Sequence, residues 1–195
     1  MTSNEHRYST GAIVLHWAIA VLIVFNLAIG LVMEGLQRPW KDVVVPLHIS
    51  CGITILGLSV LRVLWRLTHR PPPLLPDMAR WERAAAHTAH ALLYVLMLLM
   101  PVLGWSIISA HPHRPQGAAM IWGVLRLPAI APISHLPEAP QKAAHEWFVD
   151  AHSVGGWILI GLLVLHVAGA LKHQWYDRHT ELARMGIGSS RAGQG

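Results

Sequence analysis

The chain is poor in charge. Asp, Glu, Lys and Arg make up 13% of its 195 residues, about half the share that covers an ordinary soluble domain. Hydrophobic residues make up 53%, and the mean hydropathy is +0.42. The apolar residues fall in blocks, without the period of a half-buried helix or strand. A soluble enzyme and a disordered tail are excluded; most of the chain is solvated by lipid. Cysteine is nearly absent too. The one cysteine, Cys51, lies inside an apolar run. It rules out a disulfide scaffold and, with no C-x-x-C-H sequence, covalent c-type haem. Internal repeats and low-complexity segments are missing, apart from Pro71-Pro72-Pro73, read as a stiff turn.

Histidine is abundant, at 14 residues, and the formal charge is +5. The cations cluster beside apolar runs, which points to lipid headgroups and away from nucleic acid. Four segments reach the roughly 20 apolar residues that a bilayer core requires: Ala12 to Met33, Val43 to Trp65, Ala86 to Ala110, and His152 to Leu171. The first is too long for a signal-peptide core and is read as an uncleaved span. Arg62, at the far end of the second, can snorkel; Pro101 and Gly104 are expected to kink the third. The stretch from Ala118 to Ile133 is broken by Arg126, Pro128 and Pro132. It is too short to span and is expected to lie at the interface or fold over the bundle. The fold class is therefore all-α: an integral membrane four-helix bundle, with residues 1–195 forming one membrane-embedded domain.

Orientation follows from Lys and Arg. One side carries Arg7, Arg62, Arg66, Arg70, Arg80, Arg83, Lys172, Arg178, Arg184 and Arg191; the other carries Arg38, Lys41, Arg114, Arg126 and Lys142, while acidic residues divide equally. The positive-inside rule places both termini in the cytoplasm. Nine tryptophans, among them Trp17, Trp40, Trp65, Trp105 and Trp175, sit mostly near span ends, as an aromatic belt would.

Ionisable residues at membrane depth are costly and usually functional. His16 lies near the inner end of span one, and His48 near the outer end of span two. His152 opens span four at the outer side, and His166 follows 14 residues further in. Fourteen helical residues turn through about 1,400°, some 40° short of four full turns, and rise about 21 Å. His152 and His166 therefore project from nearly one face at opposite depths. Two iron porphyrins fit that spacing, each clamped between histidines of different helices: His48 with His152 outside, His16 with His166 inside. A small residue follows each histidine by four positions, Ala20, Gly52, Gly156 and Ala170, which would leave room for a flat macrocycle. Small residues also mediate ordinary packing between membrane helices.

The other histidines divide by position. His87 and His90, near the inner end of span three, suit proton handling better than ligation, and His90 is the main rival of His16. His6, His69 and His179 are read as solvated. His111, His113, His135 and His145 fall in the outer loop, where a surface metal site is the alternative to solvation. Met33, Met97 and Met100 are read as lipid-facing or core filler.

Several motifs give the chain a likeness to a known family. They are Leu15-His16-Trp17, then His48-Ile-Ser50-Cys51-Gly52-Ile with Arg62 and Arg66. His87-Thr-Ala-His90-Ala-Leu-Leu-Tyr94 and Pro101-Val-Leu-Gly104-Trp105 follow. The last are His152, Leu165-His166-Val-Ala-Gly-Ala-Leu-Lys172-His173, and Asp177-Arg178-His179 through Leu182-Ala-Arg184-Met185. In these, over residues 7 to 186, the chain resembles the bacterial cytochrome b561 family of four-helix membrane proteins carrying two b-type haems. The resemblance implies a bacterial inner-membrane location and haem ligation by His16, His48, His152 and His166 in the two pairs above. It also implies oxidation of superoxide on the periplasmic side and reduction of ubiquinone near the inner haem, with His173 the matched residue at the quinone; His90 joins it by position alone.

Two axial imidazoles would fill both iron positions, suiting one-electron transfer over O2 binding. Lys142, Arg114 and Arg126 could draw a small anion to the outer face, and His173 could relay the protons that quinone reduction consumes. The leading expectation is a quinone-linked oxidoreductase. The alternative is a membrane anchor and electron conduit between a partner dehydrogenase or hydrogenase and the quinone pool. A haem-free histidine-lined transporter is the third class.

Overall fold

The computed structural model describes residues 8–69, 72, 79–111, 119–176 and 181–186. His6, His113, His179, Arg7, Arg70, Arg114, Arg178, Arg191 and the ends of the Pro71–Pro73 turn lie outside them. Four long helices dominate: α1 (Thr10–Met33), α2 (Trp40–Thr68), α3 (Arg80–Ser109) and α5 (Glu138–Trp175). All four are long and apolar enough to cross a membrane. In hydrocarbon each backbone polar group needs an internal partner, which selects helices. Between α3 and α5 lie strands β1 (Ala119–Ile121) and β2 (Leu125–Leu127) and the short helix α4 (Ala131–Ser134); α6 (Glu181–Arg184) follows α5. The proximal end of the bundle is defined here as the end where α1 begins and α5 finishes, and the distal end as the end carrying the strands.

Local chemistry sets the helix ends. Ser9 caps α1, its hydroxyl accepting from the Ala12 N–H at 3.4 Å. The Ala79 N–H, just before α3, donates to Glu82 Oε2 at 3.2 Å. α3 continues past Pro101 to Ser109. The largest departure is α5, which starts 14 residues ahead of His152, at Glu138. Glu138, Gln141, Lys142, His145, Glu146 and Asp150 interrupt residues 138–151, so hydropathy hides them, but the segment is rich in Ala and other good helix formers. Pro140 falls in the first turn, where a missing N–H costs nothing.

α1 packs on α2, α2 on α3, and α3 on α5; of the long helices, α5 packs extensively only on α3. Only 6% of the apolar stretch of α5 is buried within the protein, against 22% for each of the other three. α5 thus stands off from α1 and α2. The main core joins Ile19, Ile23, Ile55, Leu96, Met97, Met100, Leu103 and Leu159. Met97 and Met100 are core filler. Cys51 is also buried.

The broken apolar stretch folds over the distal end of α2 and α3. It does so as an antiparallel hairpin with Ile121 opposite Leu125. Ala119, Ile121 and Leu127 pack against Ile49, Ile53, Trp105 and Ile108. Trp122 and Gly123 carry positive φ, 52° and 70°, as the primed turns of hairpins require. A tryptophan in that region is unusual, and two contacts hold it: its N–H donates to Ser50 Oγ at 2.9 Å, and its indole to Thr54 Oγ1 at 3.1 Å. The Ser50 hydroxyl in turn donates to the Pro46 carbonyl at 2.8 Å. The Trp105 indole and Ser109 Oγ fasten the strand exit at Pro128 and Ile130. Ser50→Ala removes the acceptor under Trp122. The lost hydrogen bond, about 1–3 kcal/mol, should raise amide exchange at Trp122 by roughly ten- to a hundredfold, read by hydrogen–deuterium exchange; unchanged exchange would contradict this anchoring.

Candidate functional site

The four membrane histidines meet in two pairs. At the distal level, the rings of His48 on α2 and His152 on α5 are 6.1 Å apart between centroids, inclined by 78°. At the proximal level, the rings of His16 on α1 and His166 on α5 are 6.3 Å apart, inclined by 66°. A metal held about 2 Å from one nitrogen of each of two opposed imidazoles separates the centroids by about 6 Å. Both pairs meet that spacing. They also bridge the gap between α5 and the α1–α2 pair, where a flat macrocycle needs space. The residues present therefore fit an iron porphyrin at each level.

The distal rings approach their neighbours across glycines. A Cβ on Gly30 would lie 3.3 Å from His48 Cε1, and one on Gly104 would lie 3.3 Å from His152 Cε1. Sequence reasoning put the room for the ligands at Ala20, Gly52, Gly156 and Ala170. Gly156 does face open space, but Gly52 lies against the Asn26 side chain. Gly30 and Gly104, on the neighbouring helices, touch the rings. His48 Nδ1 donates to the Asn26 backbone carbonyl at 3.2 Å. This tautomer leaves Nε2 with a free lone pair. Asn26 Oδ1 is buried with no hydrogen-bond partner among the described residues, and the His152 ring faces the Met100 backbone.

One register organises both levels. Fourteen residues separate His16 from Gly30, His48 from Arg62, His90 from Gly104, and His152 from His166. Each long helix thus presents one residue at each level, about 21 Å apart. The aliphatic core falls between these positions on every helix. Sequence reasoning found the interval on α5 and missed it on the other three, although it was readable from His16, His48 and His90 outward.

The proximal level is the more polar. The His90 ring lies 5.3 Å from His166, on the side of α3, closer than His16 and short of the spacing for a shared metal. Arg62, expected to snorkel, donates from Nε to the Tyr94 hydroxyl at 3.1 Å. His173, two helical turns beyond His166, is half-buried at the end of α5. Its neighbour Lys172 pairs with Glu82 at 2.7 Å, and the His173 ring lies within electrostatic range of that carboxylate. His87 turns back on its own helix, Nδ1 donating to the Arg83 carbonyl at 2.7 Å. His69 stacks on Trp65 at 4.1 Å. α6 closes this end: the Trp17 indole donates to the Met185 carbonyl at 3.0 Å, and the Leu182 N–H to Gln174 Oε1 at 3.1 Å.

At the distal surface a recess of about 500 Å³ is lined by Arg38, Lys41, Asp42, Val45, Pro46, Ile49, Ala119 and Met120. Arg38 and Lys41 are cations of this recess that sequence reasoning did not single out. His111 and His145 face each other at 5.5 Å, but no group of three metal-binding side chains occurs among the described residues.

A family model for prokaryotic cytochrome b561 matches residues 7–188. Cytochrome b561 homolog 2 of Escherichia coli (strain K12) is 30% identical over 196 residues, covering 100% of this chain and 98% of its own. The probable superoxide oxidase CybB of Yersinia pestis is 26% identical, covering 92% and 95%. Cytochrome b562 of Cereibacter sphaeroides is 26% identical, covering 94% and 97%. Four membrane-crossing helices and a match over nearly the whole length lead to one conclusion: the chain belongs to the prokaryotic cytochrome b561 family of haem-binding membrane electron-transfer proteins.

Proposed function

We propose that this protein is a superoxide:ubiquinone oxidoreductase of the bacterial inner membrane, one domain over residues 1–195 holding two haem b groups. His48 and His152 would hold the distal haem, and His16 and His166 the proximal haem. The observation that carries the reading is the pair of opposed ring couples, 6.1 and 6.3 Å apart, one at each end of a 14-residue register. Spacing favours His16 over His90 as the partner of His166. When bound, haem would supply a reversible one-electron couple that the imidazoles holding it and its burial tune.

The overall change is balanced by two superoxide anions, each losing one electron to become O2. One ubiquinone gains both electrons and takes up two protons to become ubiquinol. The excess of Lys and Arg at the proximal end makes that end cytoplasmic, so superoxide meets the distal, periplasmic face. Arg38 and Lys41 line the distal recess and draw the anion; Lys142 and Arg126 add to the field. Carbonyl and glycine contacts hold the distal rings, and the aliphatic layer keeps water from between the levels. His173, beside the Glu82–Lys172 pair, moves protons from the cytoplasm to the quinone, with His90 next to His166. The likeness to a protein named a probable superoxide oxidase supports the donor.

His152→Ala should remove one haem of two and leave the absorption of the other, measured by pyridine haemochrome assay and reduced spectrum; loss of neither would refute the pairing. Gly104→Val, which drives a side chain into the His152 ring, should do the same. Purified protein should be reduced by enzymatically generated superoxide and reoxidised by added quinone. Reduction that requires a partner dehydrogenase would replace this reading with the conduit. His173→Ala should slow quinone reduction at least tenfold with both haems retained; haem loss would make His173 a ligand instead.

A further inference from the structure

The two levels share a register but differ in what stands beside the ligand pair. At the distal level the other two helices present Gly30 and Gly104. At the proximal level the corresponding positions, 14 residues away, carry Arg62 and His90. A glycine makes room for a ring; an arginine brings a permanent charge.

That charge is doubled. The guanidinium carbons of Arg62 and Arg66 lie 5.7 and 5.6 Å from the centroid of the Tyr94 ring. Like charges four residues apart on a helix repel, and the bilayer margin screens them less than water does. Neither arginine has an ion-pair partner among the described residues; the two pairs found there are Arg38–Asp42 and Lys172–Glu82. Arg62 is half-buried. Its Nε is committed to the Tyr94 hydroxyl at 3.1 Å, which fixes the plane of the guanidinium and leaves its terminal nitrogens to donate elsewhere. It also stands within electrostatic range of His16, His90 and His166. Arg62 reaches the proximal pair from α2, exposed Arg66 stands one turn further along, near His90, and Tyr94 of α3 orients both. This arrangement calls for an anion.

We infer that Arg62 and Arg66, oriented by Tyr94, form a carboxylate-binding site for the propionates of the proximal haem. The inference rests on His16 and His166 as ligands of that haem. A haem held there brings two carboxylates that need partners at membrane depth, and two guanidinia are at hand, one of them fixed toward the bundle. The guanidinium fork matches a carboxylate in geometry as well as charge. A lipid phosphate could use the same donors from the bilayer side. The inward hydrogen bond of Arg62 favours the haem.

The test uses Arg62→Gln and Arg66→Gln proteins in nanodiscs of zwitterionic lipid, each loaded with haem b or with haem dimethyl ester, whose propionates are uncharged. Haem transfer to excess apomyoglobin gives the retention of each group, and optical redox titration gives the potentials. Loss of a charge-assisted hydrogen bond should speed release of the proximal haem b by about ten- to a hundredfold. It should also lower the potential of that haem without moving the distal one. Haem ester should leave wild type and variants at the same rate. Arg62→Lys should recover part of the retention. Equal acceleration for haem b and its ester would overturn the propionate site in favour of a packing role. Unchanged retention, with potentials that follow added anionic lipid, would assign the arginines to headgroups instead. A wild-type protein lacking the proximal haem altogether would defeat the ligand assignment itself, and this inference with it.

Discussion

The constraint on which the structure depends is that one helix, α5, must present two imidazoles to two different partners at two depths. His152 meets His48 of α2, and His166 meets His16 of α1. Fourteen residues bring a helix back to nearly the same face, so a straight α5 serves both. The alternating direction of the spans does the rest, since His16 lies early in α1 and His48 early in α2, which put them at opposite ends. α5 then has to stand off from α1 and α2 far enough to admit a macrocycle, and packing on α3 alone gives it that distance. The aliphatic layer of Ile19, Ile23, Ile55, Leu96, Met97, Met100, Leu103 and Leu159 fills the height between the levels. It sets their separation and holds the helices together where the histidine pairs keep them apart.

The same register produces two unlike sites. The distal pair is set among glycines and a backbone carbonyl, beneath a hairpin pinned to Ser50, Thr54 and Ser109. The proximal pair stands among Arg62, His90, Tyr94 and the Glu82–Lys172 pair, with α6 folded across the end. An apolar, tightly contacted surround and a charged, proton-rich one tune a redox centre in different directions. Two unlike surrounds suit a membrane electron-transfer protein whose two levels serve different ends of the path.

Much of this was legible in the sequence because a bilayer simplifies the code. Length and hydropathy marked four spans, and membrane histidines stand out because burying them is costly. The interval between His152 and His166 gave the levels. What escaped has physical reasons. The first 14 residues of α5 are interrupted by six polar or charged side chains, and hydropathy does not register a helix that continues beyond its apolar stretch. The hairpin at 119–127 was legible only as a segment unable to span, because its strands are three residues long and its turn rests on Trp122, held in a left-handed conformation by side chains of α2. Gly30 and Gly104 make room on neighbouring helices, which sequence adjacency to a histidine cannot reveal. Arg62 looked free to reach the headgroups until α3 placed Tyr94 beside it.

The most direct test of two bis-imidazole haems is a low-temperature EPR spectrum of the air-oxidised protein, combined with haem quantification on the same sample. The account requires two haem b per chain, both ferric low-spin. One haem per chain, or a high-spin signal from an iron lacking its second imidazole, would contradict it.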